Sequence, residues 1–401
     1  MANALLFTLL ALVLAYGLSE LFHYCRLPRV IGQLLAGIVL GTPFLKGIFY
    51  NDDIGAAFSY LANIGILLLF FFVGLELNLR RLKSNMKESV YISVFNTLIP
   101  LITGFLVARY AFHLDQIVSL IIGISVSVSS QAISLDILDE VKLLRSRIGS
   151  LIIASGTVDD VFELLLISAI LIVFRSAALG STDILVLILD VVVFIIMVIA
   201  FRAFLIPAAL KIFEREKSQS SLFMGALIIV LTMAYLSEVL GIGSLIGALI
   251  AGILIRQTLL KEADLKAWRR NELSHSLHAI SFGFLVPLFF VGVGLRMDIG
   301  SLSGNLLLVG VLIVIDIAGT LLGTVTGVLM GKGSLREGFI IGWGVLPKGD
   351  TELVIATLAL QHGIITVGVY TVIITVALVS TFIAPIMFKY LVRKNAKMIG
   401  K

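Results

Sequence analysis

Charged residues are scarce in this chain. Lys, Arg, Asp and Glu make up 14% of its 401 residues, where a soluble protein carries roughly 25%. With 59% hydrophobic residues and a mean hydropathy of +1.11, that scarcity excludes a soluble globular protein and indicates a polytopic membrane protein. Cysteine is nearly missing. Cys25 stands alone, which excludes an internal disulfide framework and a Cys-based metal site. Long polar stretches are missing too: the longest interruption runs from about Arg256 to Ser274, so no soluble domain is expected. The N-terminus, Met1-Ala-Asn-Ala-Leu-Leu6, lacks a basic region and a small-residue cleavage site. The first apolar run therefore reads as a retained helix and not as a signal peptide.

What remains is a succession of apolar runs broken by polar, Gly or Pro punctuation. They give thirteen candidate spans, at 4–24, 28–45, 55–78, 90–112, 116–137, 148–174, 184–208, 219–240, 243–259, 276–297, 304–330, 337–361 and 365–388. Charge tests that count. Of 30 Lys and Arg, 24 fall in or beside the odd-numbered loops and the C-terminal tail. Lys46, Arg109, Arg175 and Arg296 belong to the other side, and Arg202 and Lys348 lie within spans. By the positive-inside rule the N-terminus is outside and the C-terminus cytoplasmic, in the plasma membrane. The net charge of +5 follows from this asymmetry and gives no support to nucleic-acid binding.

The chain also repeats itself. Ile31-Gly-Gln-Leu-Leu-Ala-Gly-Ile-Val-Leu40 is similar to Ile246-Gly-Ala-Leu-Ile-Ala-Gly-Ile-Leu-Ile255, and Phe71-Phe-Val-Gly74 returns as Phe289-Phe-Val-Gly292. The copies are seven spans apart, an odd number, so they lie in opposite orientations. The expected organisation is a single membrane domain over 1–401, with 28–174 and 243–388 as inverted repeats and 184–240 as connecting helices. Inverted repeats mark secondary transporters, whose sites form where discontinuous helices meet. The repeat pairs span five with span twelve. The first contains Ser125-Val-Ser-Val-Ser-Ser-Gln-Ala132 and the second Gly342-Trp-Gly-Val-Leu-Pro-Lys-Gly-Asp350. Both are rich in residues that weaken helices and free backbone groups, tolerable only where they line an aqueous cavity. Lys348 beside that break is expected to compensate carbonyl ends or to pair with an acid.

Asp159 and Asp160 stand side by side in span six. A carboxylate at the centre of a membrane helix costs about 2.5–3.5 kcal/mol on insertion scales, so such residues line ion pathways. A 100° step separates them, so one can face a cavity while its neighbour meets an adjacent helix. Glu163, one turn on, shares that broad face. Burial and mutual repulsion favour a protonated carboxyl, and a cation entering the site replaces the proton. That competition is antiport in minimal form. Carboxylate and hydroxyl oxygens, with Ser129, Ser130 and Thr157 as candidates, suit Na+ or a similar hard ion. No cofactor is expected. Asp316 in span eleven is another intramembrane acid with no neutralising group nearby in sequence. Asp190 and Glu238 are further acids, Glu238 within snorkelling reach of the interface. Asn96, Asp183, Arg202 and His362 read as packing or interface residues, and Glu76 as a boundary cap.

These residues resemble the monovalent cation–proton antiporter superfamily. The resemblance rests on Gly32-Gln-Leu-Leu-Ala-Gly37, Phe72-Val-Gly-Leu-Glu76, Thr157-Val-Asp-Asp160 and Leu346-Pro-Lys-Gly-Asp-Thr-Glu-Leu353, and covers nearly the whole chain. Within it the chain looks like prokaryotic Na+/H+ antiporters with paired aspartates. The resemblance implies an all-α fold with two broken, crossing helices, a homodimer in the lipid bilayer and a moving core. Asp160 would be the principal cation and proton carrier and Asp159 its modulator, with Asp316, Lys348, Glu163, Asp350 and Glu352 in support. Paired-aspartate relatives place a Lys where Asp316 stands, so an acid–acid pair of Asp159 with Asp316 is expected in place of an ion pair. The preferred reading is Na+/H+ antiport, with Li+ or K+ as other cations. A K+/H+ exchanger or a proton-uncoupled cation channel on the same scaffold is the alternative. An intramembrane aspartyl protease is remote, since adjacent acids on one helix do not sandwich a catalytic water.

Overall fold

The computed structural model describes residues 2–76, 86–179, 184–205, 219–259 and 278–395. Every regular element among them is helical, as it must be where a backbone without water has to satisfy its own N–H and C=O groups. In order they are α1 (Ala2–Tyr24), α2 (Arg29–Leu40), α3 (Pro43–Phe49), α4 (Asp52–Glu76), α5 (Met86–Leu106), α6 (Gln116–Ser127), α7 (Gln131–Glu140) and α8 (Arg147–Leu179). There follow α9 (Ile184–Ala200), α10 (Gln219–Val239), α11 (Ser244–Leu259), α12 (Val286–Leu295), α13 (Leu306–Met330), α14 (Leu335–Val345), α15 (Thr351–Gln361) and α16 (Val367–Lys394). Seven described helical segments, one of them α6 together with α7, are long and apolar enough to cross a membrane, or eight if α2 and α3 count as one span. That pair, expected as the continuous span 28–45, is bent by 76°. Pro43 cannot continue a helix begun before it, so the chain turns at Gly41-Thr42 and starts again.

The chain divides into two compact units. One comprises 1–12, 49–77 and 167–292. In it α11 lies so close on α4 that a Cβ on Gly252 would fall 2.2 Å from the Phe71 carbonyl oxygen. Arg256, buried at the end of α11, donates to the Leu75 carbonyl at 2.7 Å and so satisfies a terminal carbonyl of α4. The exposed Glu238 carboxylate accepts the Ser244 N–H at 2.6 Å and caps α11, answering one of the orphan donors at that helix start. Asp183 and the side chains of Glu76 and Asp190 lie outside the described residues.

The other unit comprises 13–48, 78–166 and 293–401. Here α2 meets the end of α12, where a Cβ on Gly294 would lie 2.2 Å from the Leu34 carbonyl. Helix α5 packs along α13, and Ile133, Ile137, Ile148, Ile152, Ile340 and Phe388 gather α7, α8, α14 and α16 into one apolar core. Two capped starts fix the broken spans. The Asp115 carboxylate accepts the Ile117 N–H at the head of α6, and Ser334 with Glu337 forms a capping box at the head of α14.

Candidate functional site

Both breaks expected from sequence are present, and they meet within the second unit. Helix α6 stops at Ser127 and α7 begins at Gln131; α14 stops at Val345 and α15 begins at Thr351. The intervening segments touch through the Ser130 N–H, which donates to the Pro347 carbonyl at 2.8 Å. The other freed groups are also answered. Lys348 N–H donates to Thr381 Oγ1 at 3.1 Å, and that hydroxyl donates back to the Lys348 carbonyl at 2.5 Å. Lys348 Nζ donates to the Val126 carbonyl at 3.1 Å, placing a cation at the negative end of α6. The Ser129 N–H donates to Glu163 Oε1 at 3.1 Å, placing a carboxyl oxygen at the positive end of α7. A Lys and a Glu thus compensate the two half-helix dipoles, the arrangement that low dielectric favours.

Asp159, on α8, is buried and faces α5. Its Oδ1 accepts from Ser93 Oγ at 2.5 Å and Thr97 Oγ1 at 3.3 Å, while Oδ2 is reached by Asn96 Nδ2 and Ser129 Oγ, both at 3.4 Å. Asp160, turned away by the helical step, is half-buried. Glu163 is within electrostatic reach of Asp160, Asp350 and Asp159. Ser130 Oγ donates to Asp350 Oδ1 at 3.2 Å. Thr157, a candidate ligand from sequence, has its hydroxyl engaged elsewhere: it donates to the Ile153 carbonyl and accepts from Gln131 Nε2. Glu352 is buried with neither carboxylate oxygen hydrogen-bonded. His362 Nδ1 lies 2.9 Å from the Leu358 carbonyl at the end of α15.

Two expectations need correction. Asp316 does not form an acid–acid pair with Asp159. It pairs with Lys348 Nζ at 3.1 Å and accepts a short hydrogen bond from Ser380. The reason is that the Pro347 break swings Lys348 from another span into the core, so its charge arrives from a distant part of the sequence. Asn96 is likewise no mere packing residue, since it belongs to the polar wall around Asp159. Ser93, Thr97, Ser380 and Thr381 escaped sequence reasoning altogether. A signal for α5 existed: Ser89, Ser93, Asn96 and Thr97 recur at helical spacing, so they line one face of an otherwise apolar span.

A hydroxyl that donates to a carboxylate can rotate and offer a lone pair to a cation. The cluster around Asp159 can therefore exchange a proton for a hard cation with little rearrangement. Crossed half-helices beside buried acids on a membrane-spanning scaffold define a secondary transporter of small ions. The profile of the family described as "Sodium/hydrogen exchanger, transmembrane" matches residues 7–394, and the chain belongs to that family. It is 28% identical over 376 residues to a Na(+)/H(+) antiporter of Enterococcus hirae, covering 94% of each chain. It is 29% identical to the Na(+)/H(+)-K(+) antiporter GerN of Bacillus cereus, covering 90% of this chain and 89% of that one. The solved structure of the sodium proton antiporter MjNhaP1 from Methanocaldococcus jannaschii shares the fold, with a TM-score of 0.67 at 17% identity over 99% of this chain and 97% of that one.

Proposed function

We propose that this exchanger moves Na+ against H+ by alternating access, with Asp160 as principal carrier and Asp159 as its modulator. The observation that carries the reading is the adjacency of Asp159 and Asp160 beside the crossed breaks. One carboxylate is wrapped in hydroxyl donors and its neighbour is half-buried, so cation and proton compete at one spot. Ser129 serves the cation through its hydroxyl, while Ser130, Glu163 and Asp350 hold the crossing in shape. Bound protons and Na+ stabilise the same negative charge, so they exclude each other.

The inverted repeat organises this core. Its support is an exchange of partners: the first helix of one copy, α2, packs on α12, while the first helix of the other, α11, packs on α4. The protein works as a homodimer in the plasma membrane, N-terminus outside and C-terminus inside, a reading supported by the family resemblance and by the side on which Lys and Arg collect. GerN's name, which joins K+ to Na+, favours testing K+ as the second substrate.

The test is transport in proteoliposomes under an imposed pH gradient, with Na+, Li+ and K+ compared. Wild type is expected to move protons only when a cation is present, with Na+ most effective. Asp160→Asn abolishes that movement while eluting as a folded dimer. Cation flux that ignores the proton gradient identifies a channel instead, and full activity of Asp160→Asn overturns the carrier assignment.

A further inference from the structure

Glu352 lies in the first turn of α15, 1% exposed, with both carboxylate oxygens buried and without a hydrogen bond. Asp350 occupies the N-cap position of that helix. An ionised carboxylate left in that condition is among the most costly groups a protein interior can hold, whereas the neutral acid is tolerated. Glu352 also borders a cavity of about 10 Å³. The polar side chains in its wall are Lys348, Glu352 and Thr381; α2 and α16 otherwise contribute apolar groups. The charged groups that reach Glu352 are Lys348 and Asp350 on its own span and Asp316 on α13. Neither α2 nor α16 presents a titratable side chain to it.

Lys348 therefore stands between two buried acids. It is engaged with Asp316 at 3.1 Å, and it borders the same cavity as Glu352. We propose that Glu352 is a second proton carrier of the exchanger, and that Lys348 passes between Asp316 and Glu352 as the proton comes and goes. In the conformation described, Lys348 pairs with ionised Asp316 and Glu352 holds the proton. In the alternative, Glu352 gives up its proton to the solvent side open at that moment and draws the Lys348 ammonium toward it, while Asp316 stays ionised and keeps its Ser380 hydrogen bond. The first arrangement holds one proton more than the second, so one proton is carried per cycle. The ammonium between the two acids offsets the carboxylate charge that deprotonation leaves in a low-dielectric interior. Thr381 bonds only the Lys348 backbone, so the side chain can move while its root stays fixed.

This inference rests on the antiport reading, and the two fail in different ways. If wild-type vesicles show no cation-dependent proton movement, the antiport reading itself falls. If they do, the proton-to-cation ratio is measured from the reversal of flux under opposed gradients, for wild type and Glu352→Gln. The expected result is that Glu352→Gln still exchanges, with a proton fewer per cation and weaker dependence on membrane potential. An unchanged ratio and potential dependence overturn the proposal. Infrared spectroscopy supplies a readout independent of transport. Wild type is expected to show the carbonyl stretch of a buried carboxylic acid that Glu352→Gln lacks and Glu352→Asp shifts. Should Glu352→Gln fail to fold, the band and its shift in Glu352→Asp decide, and a band unmoved by that change overturns the proposal.

Discussion

Lys348 Nζ and Asp316 Oδ1 lie 3.1 Å apart with side-chain exposures of 1% and 0%, so water screens neither charge. The same ammonium donates to the Val126 carbonyl. One side chain thereby ties α13 to the broken end of α6 and neutralises Asp316. A buried pair of this kind adds little net stability over an apolar pair of equal volume, but removing one partner strands the other.

That asymmetry gives a double-mutant prediction. Asp316→Asn removes the partner of Lys348 yet leaves Glu352 within reach, so unfolding in detergent is expected to fall by only about 1 kcal/mol, the scale of one hydrogen bond. Glu352→Gln alone is near neutral, because the native oxygens make no hydrogen bond. The double variant strands Lys348 and is expected to lose about 3–5 kcal/mol, far more than the sum. Thermal unfolding followed by tryptophan fluorescence reads all four corners of the cycle. Simple additivity would mean that Lys348 has no second acid to turn to.

The crossing of the breaks is tested at Gly349. A Cβ there would lie 2.5 Å from Ser130 Oγ and 2.6 Å from Ser130 Cβ, closer than any real side-chain contact. Gly349→Ala therefore pries the segments apart and lengthens the Ser130–Pro347 bond. Transport is expected to fall by an order of magnitude or more, since a misplacement of about 1 Å at a site of chemistry costs roughly 100-fold. Adding Ser130→Gly, which removes the obstructing atoms, restores part of it, limited by the loss of the Ser130–Asp350 hydrogen bond. If the single variant transports normally, the close crossing is not needed for turnover.

Much of this site was legible in the sequence. The helix breaks at 128–130 and 346–350 announce themselves through the Ser-, Gly- and Pro-rich segments around them, which weaken a helix in hydrocarbon. The acids announce themselves through their cost in an apolar run. What local sequence does not carry is which span supplies the partner. Asp316 has no cation within four residues in either direction, and its ion pair depends on a Lys 32 positions away being brought in by a kink. The polar wall on α5 was faint for another reason: Ser93, Asn96 and Thr97 are each ordinary in a membrane helix, and only their common face around Asp159 gives them a role.

The seam between α5 and α13 is the rigid support of that wall. A Cβ on Gly327 would fall 2.6 Å from both the Tyr91 carbonyl oxygen and Ile92 Cα, backbone atoms that cannot rotate away. Gly327→Ala is expected to cost about 1–3 kcal/mol, the usual penalty of overpacking, seen as a lower unfolding temperature. Gly310, on the same helix but with open space around it, serves as control: Gly310→Ala is expected to be neutral or slightly stabilising because alanine favours a helix. Equal effects at the two positions would show that close packing is not what Gly327 provides.

The wall itself is tested by removing one donor at a time. Ser93 Oγ makes the shortest hydrogen bond to Asp159, 2.5 Å against 3.3 Å for Thr97, and a hydrogen bond to a charged group contributes about 1.5–3 kcal/mol. Its donor stabilises the ionised carboxylate and does nothing comparable for the protonated one, so its loss tips the competition toward the proton. Ser93→Ala is therefore expected to raise the apparent Km for Na+ by about ten-fold or more at a fixed pH, at 1.4 kcal/mol per decade. The pH–activity curve moves to the alkaline side, since more base is needed to empty the site. Thr97→Val, which removes a longer bond, moves both quantities in the same direction by less, and Ser93→Thr, which keeps the hydroxyl, moves them little. The measurement is Na+-dependent dequenching of a pH dye in vesicles across a pH series. A Ser93→Ala curve that overlays wild type in both Km and pH would remove Ser93 from the site.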